Sequence, residues 1–467
     1  MSATPPDFEV REAASQEPPP EDYGLPDELI LGVEQALAEG RVEAVERMLE
    51  PLHAADLADL IETLTKDERQ LAVEILGPAL DAETITYLDP SIREEVIELI
   101  GPRNLARGLM QLDSDDAFEV FEDLEEEFQH RMLAALPLAY RHILEEGLSY
   151  PEDSAGRLMQ REVVVVPAAW TVGETIDFMR ASEDLPTDFY DLFVVNPKHK
   201  PVGTIPLSRV LRTRRPVRIT EIMEPDMRPV PLTMDQEEVA YLFRQYGLVS
   251  APVIDDAGRL VGSITVDDVV HVIDEEAEED IMKLGGVSET DLYSAVLDTT
   301  KSRASWLVVN LLTAILASVV IGLFEATIEQ VVALAVLMPI VASMGGNAGT
   351  QTLTVAVRAI AMKDLTAANA RRFVGKELLV GFINGLLFAV LTGAVAWLWF
   401  QTPIIGAVIA AAMVINMIVA GLSGTLIPIG LERLGVDPAV ASSVFLTTVT
   451  DVVGFFAFLG LAALVLL

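Results

Sequence analysis

A single carboxylate, Asp451, stands in the otherwise uncharged stretch 438–467, 14 positions after Asp437. On a helix that separation is about 21 Å, which puts Asp451 near the middle of a roughly 30 Å hydrocarbon layer. A charge there costs at least about 2.5 to 3.5 kcal/mol, so such residues generally line water-filled paths. Thr447 and Gly454 flank it at i−4 and i+3; a neutral carboxyl hydrogen-bonded by adjacent threonines is the plainer alternative. Upstream, PIVASMGGNAGTQTLTVAVR puts Asn347, Gln351 and Thr354 on one helical face, and Gly345, Gly346 and Gly349 permit close backbone approach or local unwinding. Small and hydroxyl residues also serve ordinary helix packing, so both uses stay open. Asn384, Asn416, Gly421, Ser423 and Gly424 repeat the signal more weakly. The donors are all oxygens: none of the five histidines lies beyond residue 300, and the chain has no cysteine. Such a set suits a hard cation, Mg²⁺, rather than zinc or copper. One carboxylate is too few to strip Mg²⁺ of its waters, so Asp451 would hold a hydrated ion, and two copies around an axis would double the charge. A homodimer is expected.

The second cluster is HVIDEEAEEDIMKLGGVSETD, with six carboxylates between Asp274 and Asp280. Helical spacing sets Glu276 and Asp280 on one face with Glu279 beside them, and Asp274 and Glu278 on another. Like charges so spaced destabilise a helix unless a cation intervenes, so the run reads either as a solvated face or as a cation sensor.

Elements must position these groups. The 467 residues carry 32 basic and 71 acidic side chains, yet 51% are hydrophobic, and the two properties occupy different halves. From Lys301 onward there are 8 basic and 7 acidic residues, which leaves 24 and 64 before it, a net of −40. So acidic a half argues against nucleic acid and for cations. The apolar half has uncharged runs at 304–324, 330–357 and 378–431, the last long enough for two spans broken near Gln401, Thr402 and Pro403; with 438–467 this predicts five transmembrane helices. The basic residues precede span 1 or fall between spans 2 and 3 or 4 and 5, which predicts a cytoplasmic N-terminus, an outside C-terminus and a multi-pass protein of the cell membrane. The start, MSATPPDFEVREAASQEPPPEDYG, has no apolar core of signal-peptide length.

In the acidic half, residues 1–26 read as a disordered leader and 27–148 as short amphipathic helices. There LHAADLADLIETL (52–64) recurs 60 positions on as LDSDDAFEVFEDL, which suggests a helical repeat. Residues 159–210 and 223–272 form a second duplication, in which Met159 and Pro167 recur as Met223 and Pro231, and VVNPKHKPVGTIPLSRVL as VIDDAGRLVGSITVDDVV. This resembles a tandem pair of CBS domains, over 149–272, a module that often binds adenine nucleotides. The second copy keeps the nucleotide pattern that the resemblance implies in Gly262, Thr265 and Asp268, so ATP is a possible ligand; the first has Pro206 and Arg209 instead.

Taken together, the chain resembles the MgtE family of magnesium channels. The resemblance is carried by LSYPEDSAGRLM (148–159), EEDIMKLGG (278–286), GGNAGTQ (345–351) and TVTDVVGFFAFLGLA (448–462). It implies a multidomain membrane protein: an all-α superhelical N-domain, an α/β CBS pair, an acidic connecting or plug helix over 273–300, and an all-α five-helix membrane domain over 301–467. It also implies a homodimeric Mg²⁺ influx channel closed by internal Mg²⁺. By motif, Asp451 becomes the selectivity carboxylate, Asn347 a pore residue and Asp437 a gate carboxylate. Sensor sites fall on Asp235, Glu237, Asp268, Glu276, Glu279 and Asp280, with Asp116 and Glu119 in the N-domain. The family pattern has an asparagine where Ser443 stands. No enzyme is expected: neither HExxH nor a GxxxxGK[ST] loop occurs. A coupled carrier, a channel for Co²⁺ or Mn²⁺, and a non-transporting sensor stay open.

Overall fold

The computed structural model describes residues 24–77, 80–122, 124–182, 185–186, 189–287 and 296–466. Most of the expected leader therefore lies outside the described residues, as do positions 288–295 of the connecting segment. The chain divides into two compact units, Met1–Met234 with Ala251–Ile264, and Asp235–Ser250 with Thr265–Leu467.

The first unit opens with short helices: α1 (Asp27–Ala38), α2 (Val42–Leu49), α3 (Ala54–Thr63), α4 (Lys66–Leu76), α5 (Glu83–Thr86), α6 (Pro90–Ile100), α7 (Pro102–Leu109), α8 (Ser114–Glu122), α9 (Glu126–Leu133) and α10 (Leu138–Gly147). Each is too short to stand alone, so each depends on burying one face against its neighbours. The repeat is real at the level of packing. Leu57, Ala58, Leu60, Ile61 and Leu64 are buried, and so, 60 positions on, are Ala117, Phe118, Val120, Phe121 and Leu124. A polar brace repeats with them, since Arg69 Nε donates to the Ile61 carbonyl at 3.0 Å and Gln129 Nε2 to the Phe121 carbonyl at 3.2 Å.

The duplicated α/β module follows: α11 (Ala155–Leu158), β1 (Val165–Pro167), α12 (Val172–Ala181), β2 (Asp191–Val195), β3 (Pro201–Pro206), α13 (Leu207–Arg212), α14 (Ile219–Ile222), β4 (Val230–Pro231), α15 (Gln236–Tyr246), β5 (Ser250–Ile254) and β6 (Leu260–Thr265). Two three-stranded sheets form, ordered β1-β2-β3 and β4-β5-β6, with β1 parallel and β3 antiparallel to β2. The recurring methionines have a physical reason. Gln160 pairs with Ser263 of β6, and Glu224 with Thr204 of β3, so the segment ahead of each copy braces the other copy's last strand. A Cβ on Gly262 would sit 2.6 Å from the Gln160 carbonyl and 2.8 Å from Met159 Sδ; one on Gly203 would sit 2.8 Å from the Glu224 carbonyl and 3.0 Å from Met223 Sδ. Only glycine fits either crossing.

The remaining helices are α16 (Val266–Gly285), α17 (Val296–Gly322), α18 (Glu325–Gln330), α19 (Ala333–Ala361), α20 (Ala370–Phe400), α21 (Pro403–Arg433) and α22 (Pro438–Leu466). The second copy does not end in a short helix as the first does. Instead α16 runs unbroken through residue 272, where the sequence suggested the module would stop. Five helices are long and apolar enough to cross a membrane, as the hydropathy runs predict. The break between α20 and α21 falls at Gln401, in the left-handed region at φ 54°, just ahead of Pro403, whose ring cannot continue a helix. Most large residues of α17, including Leu307, Leu311 and Ile315, point outward, a face that suits lipid rather than water.

Candidate functional site

Asp451 lies midway along α22, half-buried, and makes no hydrogen bond or ion pair to any described residue. The threonine alternative fails for a simple reason. Thr447, Thr448 and Thr450 donate to the carbonyls of Ser443, Val444 and Leu446 in their own helix, so none reaches the carboxyl. Beside it in sequence Thr447 is exposed, whereas Gly454 is buried. On α19 an exposed polar stripe runs through Ser343, Asn347, Thr350, Gln351 and Thr354 while the opposite face is apolar and buried. Asn347 Nδ2 reaches Ser343 Oγ at 3.4 Å, a weak bond that leaves most of its amide to other ligands. A polar stripe on a membrane helix must face water or another polar surface.

A second carboxylate is buried among these helices. Glu377 sits within α20 and is buried; Thr352 Oγ1 of α19 donates to its Oε2 at 3.2 Å, and Lys376 Nζ stands 3.5 Å from Oε1. The uncharged run beginning at residue 378 hid it, because α20 starts at Ala370, eight residues earlier.

The acidic cluster divides as helical spacing demands. Asp274, Glu275 and Glu278 are exposed, and Glu276, Glu279 and Asp280 lie on the half-buried face of α16, which packs on α15 and α22. Gln236 Nε2 of α15 donates to Glu276 Oε1 at 2.8 Å. Next to it Glu237 is pushed up to about 7, first by burial and then by repulsion from Glu276, Asp235 and Asp280, with Lys363 opposing. Asp235 caps α15, accepting from the Glu237 amide at 2.9 Å. Burial and the nearby Asp437 also raise Asp280 above the usual carboxylate range. The cation that relieves this crowding was missed in the sequence: Lys283, whose Nζ bonds Glu279 and stands 3.0 Å from Asp437 at the foot of α22. Burial alone would lower Lys283, yet its bonds to Glu279 and Asp437 hold the ammonium well above its ordinary range. One position on, Leu284 packs with Leu353 and Val357 of α19 and with Ala439 and Leu446 of α22. The end of α16 thus seats on the two helices that carry Asn347 and Asp451.

A second strut was also missed. Lys363, ending α19 in the left-handed region at φ 53°, reaches Glu238 of α15 at 2.7 Å and lies over the Tyr241 ring at 5.2 Å. Arg244 of α15 contacts Met362 from the same side. Other expected residues have local roles. In the first turn of α8, Asp116 stands near Glu119, whose Oε1 accepts from the buried Arg93 at 2.8 Å. Thr265 Oγ1 donates to Asp268 Oδ2 at 2.7 Å, so the two polar groups of the nucleotide pattern engage each other, and Gly262 is explained by the crossing at Gln160. Among the described residues no three carboxylate or histidine side chains converge closely enough to hold a metal ion.

Three family models match: the MgtE divalent cation transporter over 338–461, the MgtE intracellular N domain over 52–153, and CBS domains over 155–215 and 219–275. The magnesium transporter MgtE of Thermus thermophilus is 36% identical over 450 residues, covering 95% of this chain and 99% of that protein. The Bacillus subtilis magnesium transporter MgtE is 28% identical over 441 residues, 93% and 97% of the two chains. Among solved structures, the cytosolic domain of the Mg²⁺ channel MgtE in complex with ATP is similar at 32% identity, covering 52% of this chain and 99% of that one with a TM-score of 0.49.

Proposed function

Since the chain belongs to the MgtE family of transporters, we propose that it is a Mg²⁺-selective influx channel of the plasma membrane, homodimeric, with a cytoplasmic N-terminus, closed by internal Mg²⁺. The observation that carries this reading is Asp451, half-buried in the middle of α22 and without a hydrogen-bond or ion-pair partner among the described residues. A carboxylate with no protein partner at that depth is stable only against water or a cation. Asp451 holds the ion through its water shell and the polar stripe at Asn347 lines its route. A divalent ion moving inward gains about 4.6 kcal/mol per 100 mV, twice the single-charge figure, so entry needs no coupled ion.

Closure is a linkage effect. Asp235, Glu237 and Asp268 on one side and Glu276, Glu279 and Asp280 on the other repel until Mg²⁺ lies between them, and α16 then stays seated at Asp437. A site filled to tenfold over its dissociation constant contributes roughly 1.4 kcal/mol. Moving a gate from 1:99 to 99:1 takes about 5.5 kcal/mol, hence about four independent sites. In the N-domain, Mg²⁺ at Asp116 and Glu119 must displace Arg93 from Glu119. ATP is proposed as a further ligand of the CBS pair, on the pattern Gly262, Thr265 and Asp268 alone.

Reconstituted protein tests the pore assignment. Asp451→Asn should fold and dimerise but lose Mg²⁺ selectivity or current; undiminished Mg²⁺-selective flux would overturn it. Currents far above carrier turnover are expected in the parent, and turnover at carrier rates would favour a coupled carrier.

A further inference from the structure

A single buried amide touches both helices of the proposed path. Asn416, midway along α21, is fully buried between Met413 and Met417, in a helix that is otherwise almost wholly apolar. Its Nδ2 donates to the Val341 carbonyl of α19 at 2.8 Å. That carbonyl can only accept, so the amide nitrogen must face it. Oδ1 is thereby turned away and has no hydrogen-bond partner among the described residues, which makes the residue costly to keep in an apolar helix.

What the amide does instead is fill a notch cut by two glycines. A Cβ on Gly345 of α19 would run into Asn416 Nδ2, and one on Gly454 of α22 would sit 2.8 Å from the same atom and 3.1 Å from Oδ1. Gly345 precedes Asn347 by two residues, and Gly454 follows Asp451 by three. One turn away, Leu446 of α22 closes on Gly349 of α19, where a Cβ would lie 2.7 Å from Leu446 Cδ1. Between them these two contacts leave α19 and α22 little freedom to slide or to approach more closely.

We propose that Asn416 is the positioning residue of the path: its amide, wedged between Gly345 and Gly454, fixes the spacing of the Asn347 and Asp451 helices and so sets which hydrated cation fits. It touches no ion itself. Leucine has the same branched shape as asparagine but bulkier methyl groups and no hydrogen bond to hold α19, and alanine would leave the notch empty, so packed interiors should respond to either. The inference rests on the reading of α19 and α22 as the lining of the path, and its test keeps the two apart.

The full chain is reconstituted in liposomes, and Mg²⁺ and Ca²⁺ fluxes are measured for the parent, Asn416→Ala, Gly345→Ala and the double variant, with dimer content checked by size-exclusion chromatography. Asn416→Ala should fold and lower the Mg²⁺-to-Ca²⁺ flux ratio about threefold or more, a coupling usual for residues in contact. Gly345→Ala, which drives a methyl into the amide, should lower it too, and the double variant should recover part of the ratio because the methyl occupies the vacated space. A residue of merely structural importance would change the yield of folded protein and both fluxes together, leaving their ratio alone. An unchanged ratio in folded Asn416→Ala, or no recovery in the double variant, overturns the proposal. If Asn416→Ala does not fold, Gly454→Ala tests the same notch from α22 with the same expected fall, and failure of both to fold reduces the amide to a folding element and likewise refutes it. Asp451→Asn in parallel separates the readings: retained Mg²⁺ selectivity there removes the Asp451 assignment without touching the spacer, whereas a normal Asn416→Ala removes only the spacer.

Discussion

Lys283→Met should unseat the gate helix in the absence of magnesium. Lys283 Nζ is 3.0 Å from Asp437 and also bonds Glu279, and Asp280 lies near both carboxylates. Coulomb's law at 3.0 Å gives about 1.4 kcal/mol at the dielectric of water and about 5.5 at an effective value of 20. Asp437 is 37% exposed and Lys283 29%, so the lower figure applies, in keeping with exposed pairs. Removing the ammonium also leaves Glu279, Asp280 and Asp437 without a counter-ion. The docked state of α16 should therefore lose about tenfold in population, the equivalent of roughly 1.4 kcal/mol. A divalent ion at tenfold over its dissociation constant contributes about the same, so Mg²⁺ should restore closure and do so more steeply than in the parent. Lys283→Arg should behave as the parent. The assay is flux into liposomes whose internal Mg²⁺ is clamped from zero to saturating. Equal leak in Lys283→Met and parent at zero internal Mg²⁺ would refute the idea that this lysine holds the gate.

Glu237, raised from the ordinary 4.5 to about 7, stabilises its crowded setting when protonated; that contribution is complete below about pH 4.5 and is lost as pH rises through 7. Mg²⁺ must displace the remaining proton, so Mg²⁺ affinity of the closed state, read by isothermal titration, should rise from pH 6 to 8, and Glu237→Gln should flatten the profile; an equal slope in both proteins would count against it. Arg69, buried and bonded to the Ile61 and Leu64 carbonyls and to Glu95, should cost about 3 kcal/mol or more when changed to Ala, since three acceptors lose their donor; urea unfolding monitored at the N-domain would show it, and a change under about 1 kcal/mol would refute the brace. Asp268→Asn should weaken ATP binding to the CBS pair if that pattern is used, and equal ATP affinity in the variant, measured by fluorescence titration, would remove ATP from the account.

Patterning made much of this protein legible. Four apolar runs, one of them long enough for two spans, predicted the five membrane helices because backbone in hydrocarbon must satisfy itself and length sets the crossing. Period-3.6 spacing likewise separated Glu276, Glu279 and Asp280 from Asp274 and Glu278 on α16. The two duplications were visible because each copy buries the same positions. What the sequence could not give were partners distant along the chain. Lys283 reads as one more charge in an acidic helix until α22 brings Asp437 to it. Glu377 looks like a flanking charge until α20 begins eight residues early and Thr352 meets it from α19. Asn416 looks like a weak polar signal until two glycines 109 positions apart, Gly345 and Gly454, close on its amide. Local periodicity determines which face a residue occupies; only tertiary packing decides what that face meets, because the contacts that fix a side chain's charge and freedom come from elements its own neighbours do not encode.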